Sequence, residues 1–344
     1  MYITEITQLK AACLHHIGSK VIDEGVMLSQ NELQLDDISR KNLMTYCFTS
    51  FKNEEKFCFC NELGLEYNEA KGCVDKIFSD ISSFGEQSQN LAKLLYQSSE
   101  HPGIKGGDLI VVYFADCEVD GYITDAVGVY KCENATSFLS LDYSGAKAGI
   151  STLQGVDLRR VDKAALIFNF DEENGYSIAV IDNTNKSEAK YWVEDFLQAK
   201  PKADDYHQTR ALLSAAKGFI TKGMQAEATK GEKAELMDKT LRYFQENETF
   251  DMNEFSGKVL GDEQMSSDFG EYMDSYMVKH ELEMPDSFTI SESAVKKSSR
   301  SMKSVIKLDK NFHIYVHGGE GLIKKGYDEV TGMKFYQLFF KNEE

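Results

Sequence analysis

Residues 108–132 read DLIVVYFADCEVDGYITDAVGVYKC, and this stretch decides the fold. Its first part, 108–115, is short and rich in Val, Ile and Tyr, the composition of a mostly buried strand. The cluster 116–121 (DCEVDG) is polar and holds turn formers, and 122–132 returns to β-branched and aromatic residues. The two runs predict a hairpin closed by a longer loop. After a polar gap, 164–170 (AALIFNF) predicts a further strand, and the sheet-like block continues to Ile181.

Toward the N-terminus, 1–17 reads as a mixed strand or short helix and 26–35 as a second short segment. Residues 36–52 predict a helix, with Asp37 as its cap and Leu43, Tyr46, Cys47 and Phe51 at helical intervals. Helices are also predicted over 68–78, 84–97 and 187–199, the last with Trp192, Phe196 and Leu197 on one stripe. The hydrophilic KPKADD at 200–205 breaks the apolar periodicity, holds one of three prolines and reads as a linker. Beyond it, helices are predicted over 206–224, 233–245 and 264–280. Asp251 and Glu254 have capping-box spacing, with Phe250 and Phe255 at staple positions. Strands are predicted over 304–308, 312–317 and 334–340, with turns at 317–321 and at Gly326-Tyr327-Asp328. The expected architecture is α+β with two domains. Residues 1–200 form a largely antiparallel sheet flanked by helices, and 201–344 form helices followed by a small β-sheet.

Length and composition agree with that division. At 344 residues the chain exceeds the usual size of one core. Its 42% hydrophobic and 27% charged content is that of an ordinary globular protein. The N-terminal residues lack a basic segment followed by a long apolar one, and no apolar run approaches ~18 residues, so a cytoplasmic protein that does not cross a membrane is expected. The seven cysteines lie between Cys13 and Cys132, an odd number that reads as free thiols. Cys58 and Cys60 would share one face of a strand, but no second ligand pair follows them. His15 and His16 point apart in regular structure, and His313 and His317 would stand ~13 Å apart along a strand. The glycine run at 318–321 lacks the Lys-Ser/Thr pair of a phosphate loop, and there is no GxSxG. No metal, no cofactor and no catalytic residue is therefore expected.

Charge is unevenly distributed. The net charge is −18, from 56 acidic and 38 basic residues. Residues 1–200 carry 18 basic and 31 acidic groups, 201–295 carry 10 and 19, and 296–344 carry 10 and 6. A polyanion such as DNA is bound through Lys and Arg that displace its counterions, so a nucleic-acid face belongs near the C-terminus. The segment 293–310, SAVKKSSRSMKSVIKLDK, supplies Lys296, Lys297, Arg300, Lys303, Lys307 and Lys310, opposed only by Asp309. A helix over 293–303 would set Lys296, Arg300 and Lys303 on one broad face. The serines between them add hydroxyls that reach phosphate oxygens, while the lack of Asn and Gln argues against reading base sequence. An ordinary solvated helix face, or a site for an anionic protein, would have the same composition.

The order of the 108–132 run, GISTLQGVDLRRVDKAALIFNF at 149–170 with its phrase VDLRRVD at 156–162, TRALL at 209–213 and the C-terminal strands resembles the 37-kD nucleoid-associated bacterial protein family. The resemblance implies a place at the bacterial nucleoid, a DNA-linked role, no enzymatic activity and no cofactor. Combined with the acidity, it makes the expected partner nucleoid DNA, bound directly or through a basic nucleoid protein. The competing class is an acidic interaction or regulatory protein that offers carboxylates where DNA offers phosphates. A third is an enzyme whose site residues converge only in the fold.

Overall fold

A computed structural model describes residues 2–51, 55–144, 147–184, 191–224, 228–280, 282–299, 301–302, 305–308, 311–315 and 323–342. The chain divides into two compact units, 1–202 and 203–344.

In the first unit the elements run β1 (Gln8–Ile17), β2 (Val26–Met27), α1 (Asp37–Thr49), β3 (Lys56–Phe59), α2 (Glu69–Ser79) and α3 (Phe84–Ser98). There follow β4 (Gly107–Val119), β5 (Tyr122–Cys132), β6 (Thr136–Ser144), β7 (Lys147–Gly155), β8 (Lys163–Phe168), β9 (Ser177–Asp182) and β10 (Ala199–Pro201). Eight strands form one sheet in the order β10-β3-β9-β8-β5-β4-β1-β2, and every pairing in it is antiparallel. On one face Leu109, Val111, Val129 and Ile167 meet Val74, Ile77, Leu91 and Leu95 of α2 and α3. On the other, Val112, Phe114, Tyr130 and Phe168 meet Tyr46 and Cys47 of α1. An antiparallel sheet often leaves one face to water and then alternates apolar with polar. Here both faces are covered, so all six residues of β8 are buried, Lys163 included.

Several local expectations need correction. The hairpin loop is short. Val119 pairs with Tyr122, and Asp120 and Gly121 both adopt positive φ (51° and 80°), the signature of a two-residue type I′ turn. Most of the polar cluster 116–121 is strand, interrupted by a bulge where Asp116 (φ 59°) shifts the register between Phe114 and Cys117. The Asp116 carbonyl accepts hydrogen bonds from the Thr4 and Thr7 hydroxyls at 3.3 and 2.8 Å. Residues 8–17 are strand, because β1 lies against β4 over nine register pairs. The cap of α1 is Asp36, whose carboxylate accepts from the Ser39 amide at 2.7 Å, and Asp37 is the first helical residue.

The helix expected over 187–199 is, among the described residues, one π-helical turn, Tyr191–Phe196, leading into β10. Buried Asn68 fixes that ending, since its side-chain amide donates to the carbonyls of Cys60, Leu197 and Gln198 at 2.9–3.0 Å. The division between the two units falls inside the stretch read as a linker, 200–205, whose residues are built into structure. Lys200 and Pro201 pair with β3, the Lys202 ammonium lies 2.6 Å from Asp171, and Asp204 caps the next helix. The polar gap is itself a hairpin, since β6 and β7 pair with each other over nine residues as a separate two-stranded sheet.

The second unit runs α4 (Asp205–Gly218), a π-helical turn, α5 (Lys230–Glu246), β11 (Thr249–Asp251), α6 (Met252–Phe255), a further π-helical turn and α7 (Glu263–His280). It continues with β12 (Ser287–Thr289), α8 (Glu292–Ser299), β13 (Val305–Leu308), β14 (Phe312–Tyr315), β15 (Ile323–Asp328) and β16 (Met333–Leu338). Its core gathers Leu212, Phe219, Phe244, Phe250, Phe255 and Phe269. Thr229 and Glu232 complete a capping box at α5. Asp251 caps α6, but Glu254 turns away to Tyr243 and Lys258, so that box stays half-formed. Phe250 and Phe255 close the staple at 5.6 Å between ring centroids. Among the described residues, β11–β12, β13–β14 and β15–β16 form three two-stranded ribbons where one small sheet is expected.

Candidate nucleic-acid interface

Ala294 and Val295 anchor α8 in the core, which turns Lys296 and Lys297 out to solvent. The Lys297 ammonium stands 5.9 Å from the centroid of the Tyr206 ring, within reach of a cation–π attraction. Among the described residues the helix spans Glu292–Ser299, and Met302, 2% exposed, dips into the core. Arg300, Lys303 and Lys310 lie outside the described residues. Lys307 lies in β13, where its backbone faces His313 of β14. Of the six predicted contacts, the structure brings together Lys296 and Lys297.

A second basic feature went unread in the sequence. In β15–β16, Lys325 stands opposite Tyr336 and Tyr327 opposite Lys334. Strand alternation puts these four side chains on one face as a checkerboard of two cations and two phenols. Lys325, Tyr327 and Lys334 are exposed, and Tyr336 is half-buried. The matching signal is a Lys-x-Tyr repeat, KGY at 325–327 and KFY at 334–336; the first of these had been read as a turn. Two acids stand at this turn, exposed Glu329 in the loop and Asp328 at the end of β15. Asp328 accepts from the Val330 amide and the Thr331 hydroxyl at 3.0 and 2.6 Å, bonds that hold its carboxyl below the ordinary range. Lys324 lies 5.5 Å from the Phe339 ring centroid. Helix α5 contacts α8, β13 and β15, which links the basic helix to the basic ribbon.

The same unit holds an opposite feature. A cavity of about 470 Å³ has a floor that includes Phe219, Leu236 and Val259, and Glu232, Glu235, Asp262 and Asp268 also line it. Backbone and side-chain hydrogen bonds from Thr229 hold the Glu232 carboxyl below its ordinary value.

Chemistry-bearing residues elsewhere are tied into the scaffold. Within 156–162, Arg159 makes a two-pronged contact with Asp157 at 3.0 Å, and Asp162 accepts the Glu133 and Asn134 amides at 2.8 and 2.9 Å, closing the end of β5. One titratable cluster is internal. Lys131, with no exposed side chain, donates to the Lys105 carbonyl (2.7 Å) and the Tyr191 hydroxyl (3.1 Å) and pairs with Glu133 at 3.1 Å. Lys163, equally buried, pairs with Asp182 at 2.7 Å, and both ammonium groups lie 5.3 Å from the Tyr191 ring centroid. Burial pulls Lys131 below its ordinary pKa against the opposing pull of Glu133. The three protons of the Lys131 ammonium thus have three partners within the protein. Buried His15 is held by Ser88 and the Ser29 amide, and His16 pairs with Asp108 at 2.8 Å. Among the described residues no group of three or more His, Cys, Asp or Glu could hold a metal ion.

These features define the class as an α+β protein with an antiparallel sheet covered on both faces and a helical second unit ending in exposed ribbons. The family model described as nucleoid-associated protein YejK matches residues 14–332, and the chain belongs to that family. No curated protein matches it. The family's description points to a nucleoid role exercised by association. Among the described residues, no helix is long and apolar enough to cross a membrane.

Proposed function

We propose that the protein acts at the nucleoid by binding, with no chemistry of its own, and that it contacts duplex nucleic acid through the basic surface of its second unit. The observation that carries this reading is the Lys325–Tyr336 and Tyr327–Lys334 checkerboard on β15–β16. A two-stranded ribbon fits the major groove of a duplex, its lysines reach phosphates on the groove walls, and tyrosine hydroxyls add further donors. Lys296 and Lys297 supply a second pair of cations in the same unit. No Arg, Asn or Gln lies on the checkerboard face, so the contacts are to backbone and shape. The net charge of −18 opposes approach at long range, but at ~0.1 M salt the screening length is about 10 Å and local lysines outweigh remote carboxylates. The test is an anisotropy titration of two unrelated duplexes of equal length. Similar affinities are expected, with Lys325→Ala plus Lys334→Ala weakening both equally. Strong discrimination between the duplexes, or full affinity in a folded double variant, would contradict the reading.

The cavity in the second unit supports a second route to the nucleoid. Its apolar floor and acidic lining suit an apolar side chain carried on a basic protein segment, while repelling DNA. A partner bound there would answer to Glu235→Lys and be indifferent to Lys325→Ala.

A further inference from the structure

The geometry points to the β6–β7 hairpin as a self-association face that pairs with the same hairpin of a second copy. Register places Leu139, Leu141 and Tyr143 of β6 and Ala148, Ile150 and Thr152 of β7 on one face. That face is open to solvent: Leu139 is 65% exposed, Leu141 61%, Tyr143 78% and Ile150 72%. Among the described residues the hairpin joins no other strand, and a lone two-stranded sheet is marginal in water. Nine register pairs give it a length of roughly 30 Å, and an apolar face of that length needs a cover.

Three features select a second copy as that cover. The first is charge. Residues 1–200 carry 31 acidic and 18 basic groups, yet the face formed by residues 137, 139, 141, 143, 148, 150, 152 and 154 carries none. A basic or acidic partner finds nothing there to match, whereas an identical face buries no unpaired charge against it. The second is area. The apolar side chains expose on the order of 600 Å², the upper end of what a monomer carries in one patch. Two such faces together cover on the order of 1,200 Å², the lower bound of a specific interface. The third is symmetry. Leu141 and Ile150 are directly opposed at the middle of the face, so a two-fold axis through that pair sets each against its counterpart in an isologous contact.

Sedimentation velocity of the full chain, from nanomolar to about 100 μM, tests the inference. A monomer at the low end and a dimer at the high end are expected. Raising salt should tighten the dimer, because it screens repulsion between two chains of charge −18 without touching the apolar contact. Leu141→Asp with Ile150→Asp should weaken dimerisation at least about 100-fold, as loss of a central anchor does. The far-UV spectrum and melting temperature of that variant check that it folds. Hydrogen exchange supplies a readout that needs no variant: amides 136–144 and 148–155 should gain protection as concentration rises. A chain that stays monomeric throughout, or a dimer that the folded double variant leaves intact, overturns the inference. So does a hairpin fully protected in the nanomolar monomer, since its cover then comes from the same chain.

Discussion

Lys163 and Asp182 show what a single residue pair contributes to this fold. The ammonium is fully buried and its carboxylate partner is 12% exposed, at 2.7 Å. Removing one member of such a pair leaves an uncompensated buried charge, which costs about 3–5 kcal/mol. Asp182→Ala is therefore expected to lower the urea-unfolding free energy by that amount. Lys163→Met with Asp182→Leu should recover most of it, because the desolvated ammonium is gone. A double variant as unstable as the single one would show that the pair matters for packing and not for charge. Buried thiols and phenols make a second prediction. Burial raises Cys73 and Cys132 to about 11 and Cys117 to about 12 from 9.0, and pushes Tyr46, Tyr130, Tyr176 and Tyr191 above their ordinary value. Groups with raised folded values contribute stability that is intact below the unfolded pKa and is lost as pH rises toward the folded one. Each group ionised only in the unfolded chain adds a slope of about 1.4 kcal/mol per pH unit. Urea midpoints should fall steeply between pH 9 and 11, and a midpoint that holds to pH 11 contradicts the burial of these groups. At this scale the sequence was legible in part. Lys131 falls within the strand expected over 122–132, but Lys163 precedes the one expected over 164–170, and their partners Glu133, Asp182 and Tyr191 meet them only through the fold.

At the scale of elements, glycine geometry gives the sharpest test. Gly121 (φ 80°) sits in the type I′ turn with open space around its missing side chain, so Gly121→Ala is expected to cost about 1–2 kcal/mol of backbone strain. Gly175 (φ 88°) shares the strain, and a Cβ there would lie 2.4 Å from the Phe59 carbonyl oxygen, so Gly175→Ala should cost distinctly more. Equal melting temperatures for the two variants would contradict the register of β3 against the 171–176 turn. Strands β4, β5 and β8 of the covered sheet were readable because burial on both faces leaves long runs of Val, Ile and Tyr, whereas β1 reads as a mixed segment and β10 as helix end and linker. The β6–β7 hairpin was not, because serine, threonine and glycine alternate with its apolar residues and the stretch reads as loop. Among the described residues, the helix expected over 187–199 is cut to Tyr191–Phe196 for another reason. Trp192, Phe196 and Leu197 do share the core, yet the three carbonyl contacts of Asn68 end the turn and a tertiary strand pairing overrides the helical pattern.

Across the whole molecule, charge is the property that the sequence stated most plainly and placed least well. The acidic excess of residues 1–295 and the basic excess of 296–344 were countable, and they directed attention to the C-terminal end. Of the segment chosen there, Lys296 and Lys297 stand on α8, while the Lys-x-Tyr face of β15–β16 became visible only when pairing set one strand against the other. The acidic remainder has its own consequence. Below ~0.03 M salt the screening length grows toward 30 Å, and repulsion between the whole chain and DNA should flatten the rise in affinity. The central claim is direct phosphate contact by the second unit, and the slope of log affinity against log salt measures it. Neutralising four phosphates with Lys296, Lys297, Lys325 and Lys334 predicts a slope of about −3.6 between 0.1 and 0.3 M salt, reduced by about 1.8 in the Lys325→Ala and Lys334→Ala double variant. A wild-type chain that binds no duplex at any salt concentration, or a folded double variant with an unchanged slope, would contradict it.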